Sequence, residues 1–299
     1  MEQSKDEQFW MDDAKERVDR VNAKAGRDLP AAIAVGVLLI AWVVLSVLFF
    51  VPGFVALVVV CVVFGSIELH RALMVRDRGA SAIVPVAVGG AVTAIAAYFA
   101  AGKSAEDTIL FVMAPMALTS VVALGWRLRG GPVNYVRDVS ASLLAIAYMP
   151  LMGAFLPLAA GESHGNLRIA AMILCVVASD VGGYAAGVLF GRHKLAPVIS
   201  PKKTWEGLVG SVILGLVLGW VTVHLLLGGP VWAALVFGLA MVLVGTVGDL
   251  VESMIKRDLG IKDMSGFLPG HGGFLDRIDS ILYSAPIGWL LLHLLVPNA

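Results

Sequence analysis

Residues 231–279 read VWAALVFGLAMVLVGTVGDLVESMIKRDLGIKDMSGFLPGHGGFLDRID. Residues 231–248 carry no charge, and about 20 such residues in a helix cross roughly 30 Å of hydrocarbon. Immediately beyond, Lys256, Arg257, Lys262 and Arg277 crowd against Asp258, Asp263, Asp276 and Asp279 around a Gly-His-Gly-Gly turn. An apolar run that breaks into paired charges reads as a membrane helix delivering polar chemistry to the bilayer edge.

The same pattern recurs along the chain. Nine predominantly apolar spans lie near 30–50, 54–70, 80–102, 107–126, 138–160, 167–190, 206–228, 231–253 and 277–296. They run continuously apolar instead of alternating with period two, which predicts helices and excludes barrel strands. Of 299 residues, 59% are hydrophobic and 15% charged, with mean hydropathy +0.87. A soluble domain has about 45–50% apolar and about 25% charged residues. The expected fold is an all-α polytopic integral membrane protein. Its parts are a cytoplasmic N-terminal segment (1–29), five N-terminal spans (30–160), and a C-terminal catalytic region (161–299) of four spans and two basic loops.

With the N-terminus inside, all but Lys103 and Arg168 of the 22 Lys and Arg fall in cytoplasmic segments. That satisfies the positive-inside rule and predicts an N-in, C-out orientation. A net charge of zero argues against a nucleic-acid partner. Cys61 and Cys175 sit in apolar runs without metal-ligand spacing and read as packing residues. The polar N-terminal segment lacks a secretory pattern. Asp13 and Arg17, like Glu16 and Arg20, have helical spacing, so an amphipathic surface helix competes there with a solvated tail. Small residues recur every fourth position at Ser179, Gly183, Gly187 and Gly191, and again at Gly207, Ser211, Gly215 and Gly219. Such ridges serve close helix packing. The alternative is a subunit interface, which would make a homodimer.

Carboxylates inside spans are costly and point to function. Asp180 and Asp249 are such residues. Asp249, Glu252, Ser253 and Lys256 share one helical face, where Glu252 and Lys256 can pair. Glu68 and His70 end the second span, where a solvated position is the simpler account. Asp276 and Asp279 stand one turn apart at a helix N-terminus, which favours negative charge. With Asp249 they form a hard-oxygen set suited to Mg²⁺, which takes one or two carboxylates together with waters and phosphate oxygens. The His271-Gly272-Gly273 turn lets backbone amides approach an anion. The loop Gly191–Gly207 offers Ser200, Lys202, Lys203 and Thr204 to a phosphate.

The run from Ser253 to Asp279 resembles the signature of the phosphatidate cytidylyltransferase (CDP-diacylglycerol synthase) family. Its fixed positions are filled by Ser253, Lys256, Arg257, Lys262, Asp263, His271, Gly272, Gly273, Asp276, Arg277 and Asp279. Asp180 and the Ser200–Gly207 run are also similar to the family, whereas Val188 stands where many members carry a basic residue. The resemblance covers the C-terminal 130 or so residues and implies Mg²⁺-dependent conversion of CTP and phosphatidate to CDP-diacylglycerol and pyrophosphate. It implies metal binding by Asp249, Asp276 and Asp279, with Asp180 as a further candidate. Lys256, Arg257, Asp263, His271 and Arg277 become the catalytic candidates. Ser200, Lys202, Lys203, Thr204, Ser253, Lys262, Gly272 and Gly273 become the substrate-binding ones. Short loops suggest a bacterial inner membrane with the site facing the cytoplasm. Two other readings remain open here: a CTP-dependent lipid or polyprenol kinase, and an ion-coupled transporter. Clustering of charge at one edge and the lack of an inverted repeat argue against the transporter.

Overall fold

A computed structural model describes residues 29–268 and 272–296. The expected amphipathic N-terminal helix and His271 lie outside them. Among the described residues the chain forms nine long helices: α1 (Leu29–Phe49), α2 (Val51–Val75), α3 (Ile83–Ala100), α4 (Ala105–Arg127), α5 (Tyr135–Gly161), α6 (Gly165–Phe190), α7 (Trp205–Leu226), α8 (Val231–Leu259) and α9 (Leu275–Leu295). Eight of them are long and apolar enough to cross a membrane, with mean hydropathy from 1.4 to 2.3, and α1 contains a shorter apolar helix, Ala34–Phe49. The protein is an all-α polytopic membrane protein.

Two helices loosen locally into π-type turns. In α5 the widened turn spans Ala147–Leu151 and contains Pro150, whose missing N–H cannot complete an α-helical ladder. In α7 it spans Trp220–Leu226 at the helix end.

The small-residue ridges of α6 and α7 face each other. A Cβ on Gly182 would stand 2.5 Å from the carbonyl oxygen of Gly210, and one on Gly183 would meet Ser211 Oγ at 2.6 Å. Ser211 Oγ donates to the carbonyl of Ser179 at 2.6 Å. The ridges therefore serve packing within the chain. Gly215 and Gly238 extend the close approach to α8, where a Cβ on Gly238 would lie 2.5 Å from the Gly215 oxygen. Cys175 is fully buried beside Met172 and Met241 in the core, and both cysteines are free.

Two boundaries differ from expectation in ways that matter for the site. First, α8 runs past residue 253 to Leu259 and ends at Gly260, whose φ of 62° lets its N–H reach the Arg257 carbonyl. Left-handed glycine ends helices this way, so Lys256 and Arg257 stand on the last helical turn. Second, the loop after α6 contains a hairpin in which β1 (Lys194–Ala196) pairs antiparallel with β2 (Ser200–Thr204), Lys194 opposite Thr204 and Ala196 opposite Ser200. Pro197 and Pro201 made this segment read as irregular loop. The two strands are short, and Pro201 lies near a strand start, where a missing N–H is tolerated.

Candidate active site

The hairpin is fastened to three helices. Thr204 caps α7, its hydroxyl accepting from Gly207 N–H at 3.1 Å, the ordinary way to satisfy an orphan amide at a helix start. Glu206, in the first turn of α7, accepts from the backbone N–H groups of Arg192 (3.1 Å) and His193 (3.2 Å), folding the end of α6 back onto α7. Arg257 Nε of α8 donates to the Ile199 carbonyl at 3.4 Å. So held, β2 delivers Lys203 to Asp249 of α8, and the two form an ion pair with side chains 26% and 23% exposed.

Asp249 is tied in turn to α9. Its Oδ1 accepts from Ser280 Oγ, and that hydroxyl lies 3.5 Å from Oδ1 of Asp279. One hydroxyl thus stands between two carboxylates from different helices. Asp279 Oδ1 also accepts from Ser280 N–H at 2.8 Å.

Asp276 is engaged differently. Its Oδ1 receives Lys256 Nζ at 2.9 Å, and its Oδ2 accepts the N–H groups of Met264 (2.9 Å) and Gly273 (2.8 Å). Its side chain is only 3% exposed. Lys256 also pairs with the buried Glu252 one helical turn away.

Two cavities meet at this point. One, of about 240 Å³, is lined by Asp180, Tyr184, Lys202, Lys203, Thr204 and Asp249, among others. The second, of about 250 Å³, is lined by Asp180, Asp249, Asp276, Arg277, Asp279 and Ser280 with apolar neighbours. Asp180 and Asp249 face both. A lysine-bearing pocket and an aspartate-rich pocket therefore share a wall made of two carboxylates.

The structure thus gathers Asp180, Lys202, Lys203, Thr204, Asp249, Asp276, Arg277 and Asp279 around two adjoining cavities. Ser200, Ser253, Arg257, Lys262 and Asp263 line neither; Lys262 and Asp263 are exposed on the α8–α9 connection. Three groups have protein partners that the sequence did not show, and for Glu68 this corrects the expectation. The described amides around Gly273 have partners within the protein: the N–H of Gly273 goes to Asp276, and those of Phe274 and Leu275 go to Glu68. Asp276, expected as a metal ligand, accepts from Lys256, Met264 and Gly273 while lining the aspartate-rich cavity, and Lys256 lies between Asp276 and Glu252. Glu68, read as solvated, is 4% exposed. Its amide partners lie 206 and 207 residues further along the chain, a distance no local pattern reveals.

The chain matches the profile of the cytidylyltransferase family over residues 30–295. The chain belongs to this family. It is 41% identical to the phosphatidate cytidylyltransferases of Mycobacterium bovis, over 94% of each chain, and of Mycobacterium tuberculosis, over 94% of this chain and 88% of the relative. The Mycobacterium leprae phosphatidate cytidylyltransferase is 41% identical over 91% of this chain and 90% of the relative. The similarity to these cytidylyltransferases includes the five N-terminal helices, well beyond the C-terminal signature.

Proposed function

We infer that the protein catalyses transfer of a cytidylyl group from CTP to phosphatidate, giving CDP-diacylglycerol and pyrophosphate in phospholipid biosynthesis. The observation that carries the reading is the shared wall: Asp180 and Asp249 border both a lysine-bearing pocket and an aspartate-rich one. In the reaction a phosphatidate phosphate oxygen attacks the α-phosphorus of CTP, a new P–O bond forms, and the bond to pyrophosphate breaks. The phosphomonoester has a second pKa of about 6 and is largely ionised at neutral pH. No strong base is required. The barrier lies in bringing two polyanions together, which calls for positioned cations and in-line geometry.

Lys202 and Lys203 suit the phosphate of the lipid, because their pocket also borders Tyr184, a residue 76% exposed on the flank of α6. Arg277 suits the nucleotide phosphates from the opposite cavity. Among the described residues no three His, Cys, Asp or Glu side chains stand close enough to share one ion. The donor chemistry nonetheless fits Mg²⁺, which takes one or two carboxylates and completes its shell with waters and phosphate oxygens. Asp249 and Asp279, linked through Ser280, would hold it, with Asp180 nearby and Asp276 fixing the helix end that carries Asp279. Bound there, Mg²⁺ would neutralise phosphate charge. The Lys and Arg bias toward the site end of the bundle supports a cytoplasm-facing site in a bacterial inner membrane.

The test uses purified protein, phosphatidate and Mg²⁺ with CTP labelled at the α- or the γ-phosphate. The reading predicts α-label in the lipid and γ-label in pyrophosphate. Transfer of γ-label to lipid would establish a kinase instead. Solute uptake into proteoliposomes without pyrophosphate release would establish a transporter.

A further inference from the structure

The first five helices bring a buried carboxylate, Glu68, against the start of α9. Glu68 sits near the end of α2 and is 4% exposed. Its Oε1 accepts from Phe274 N–H at 3.0 Å and from Ser265 Oγ at 2.6 Å, and its Oε2 accepts from Leu275 N–H at 2.9 Å. The Ser265 hydroxyl accepts in turn from Phe267 N–H at 3.1 Å. One carboxylate thereby satisfies two orphan amides at the start of α9 and pins the loop that leads into it. A negative charge at a helix N-terminus is favoured by the aligned peptide dipoles.

Two independent features show that the surroundings are built for this carboxylate. A Cβ on Gly273 would stand 2.7 Å from Glu68 Oε2 and 2.9 Å from its carboxyl carbon. The glycine is what lets the carboxylate approach the backbone. One turn before Glu68, Phe64 stacks on Phe274 with ring centroids 5.5 Å apart and tilts against Phe267 at 5.2 Å. Phe274 is buried like Glu68 itself, and charge-assisted hydrogen bonds are strong in such a low-dielectric setting.

We propose that Glu68 is a positioning residue of the cytidylyl transfer: it fixes the first turn of α9, and through it Asp276, Arg277 and Asp279, against α2. The arrangement explains how an N-terminal helix that reaches neither reaction cavity bears on the chemistry. Asp276 works from the inside of the same turn, accepting from Gly273 and Met264 N–H. With both carboxylates in place, the amides of three successive residues, 273 to 275, are all bound by protein oxygens, and the helix start is held from two sides.

The inference rests on the proposed activity, so its test has two readouts. The first needs no activity. In full-length Glu68→Gln the side-chain amide turns a donor toward at least one of the groups Glu68 accepts from, and hydrogen exchange at Phe274 and Leu275 should rise at least tenfold. Unchanged exchange overturns the staple whatever the enzyme's substrate. The second is kinetic. In Glu68→Gln, kcat/KM for CTP should fall at least tenfold per folded molecule, while KM for phosphatidate, bound on the lysine side, stays within twofold. Equal change in both parameters, or in neither, overturns the positioning role.

A reciprocal pair covers the case in which Glu68→Gln does not fold. Gly273→Ala should depress kcat/KM for CTP by colliding with the carboxylate, and adding Glu68→Asp, one methylene shorter, should restore at least threefold of the loss. A double variant no better than Gly273→Ala alone overturns the proposal. Wild-type protein that makes no CDP-diacylglycerol would instead overturn the activity and leave the exchange result to judge the staple.

Discussion

Two ion pairs at opposite ends of the bundle use the same chemistry for different ends. At the far end Arg168 pairs with Glu162 at 3.2 Å, their side chains 2% and 10% exposed. Arg168 also donates to the carbonyls of Ser163 and Val296, each at 2.9 Å, while Glu162 accepts from Trp289 Nε1 at 2.8 Å. The guanidinium thus sits at the C-terminal end of α9, where cations are favoured, and fastens it to the α5–α6 turn. At the site end Lys203 and Asp249 are partly exposed and face cavities. A cation bound to backbone carbonyls is a fastener. A cation paired across a cavity wall is free to exchange its carboxylate for a phosphate. Charge inside a membrane helix signals a role, and only the partners tell which role it is.

Several substitutions probe that contrast. Arg168→Ala breaks a largely buried ion pair and frees the C-terminal end of α9; it should cost about 3–5 kcal/mol of stability, seen as a lower melting temperature with kcat per folded molecule unchanged. Lys203→Ala should do the reverse, lowering turnover by about 10²–10³-fold, in line with the loss of one transition-state donor, with melting nearly unaffected. Should Lys203→Ala behave like Arg168→Ala, the distinction between the two pairs fails. Gly182→Ala forces a methyl toward the Gly210 carbonyl, and such overpacking costs about 1–3 kcal/mol. It should therefore weaken both stability and activity by opening the α6–α7 seam beside Asp180. The smallest effect belongs to Gly125, which has open space around its Cβ position. Gly125→Ala should leave turnover unchanged and stabilise α4 by up to about 1 kcal/mol, read from its melting temperature.

Much of this architecture was legible in the sequence, because continuous apolar runs have one solution in lipid. The helices begin and end within a few residues of expectation except α2, which reaches Val75, and α8, which reaches Leu259. Between Gly248 and Gly260 α8 holds no glycine or proline, so the helix outlasts its apolar stretch. Asp249, Asp279 and Lys203 were visible as candidates from residue type and position alone. The hairpin was hidden by its prolines. Glu68 was hidden because a carboxylate at a helix end looks solvated until its partners, more than 200 residues onward, are brought to it by the fold. Of the amides at and after the glycine turn, those of Gly273, Phe274 and Leu275 bind carboxylates of the protein itself, Asp276 and Glu68.

The account stands on Asp249, one of the two carboxylates that border both cavities and the one paired with Lys203. Its most direct test is the rate of CDP-diacylglycerol formation by purified Asp249→Asn, with melting temperature recorded on the same sample. The account predicts a rate at least about 10³-fold below wild type, the scale of a lost electrostatic group in a preorganised site, in protein that melts within a few degrees of wild type. A correctly folded Asp249→Asn enzyme turning over at near wild-type rate would contradict it.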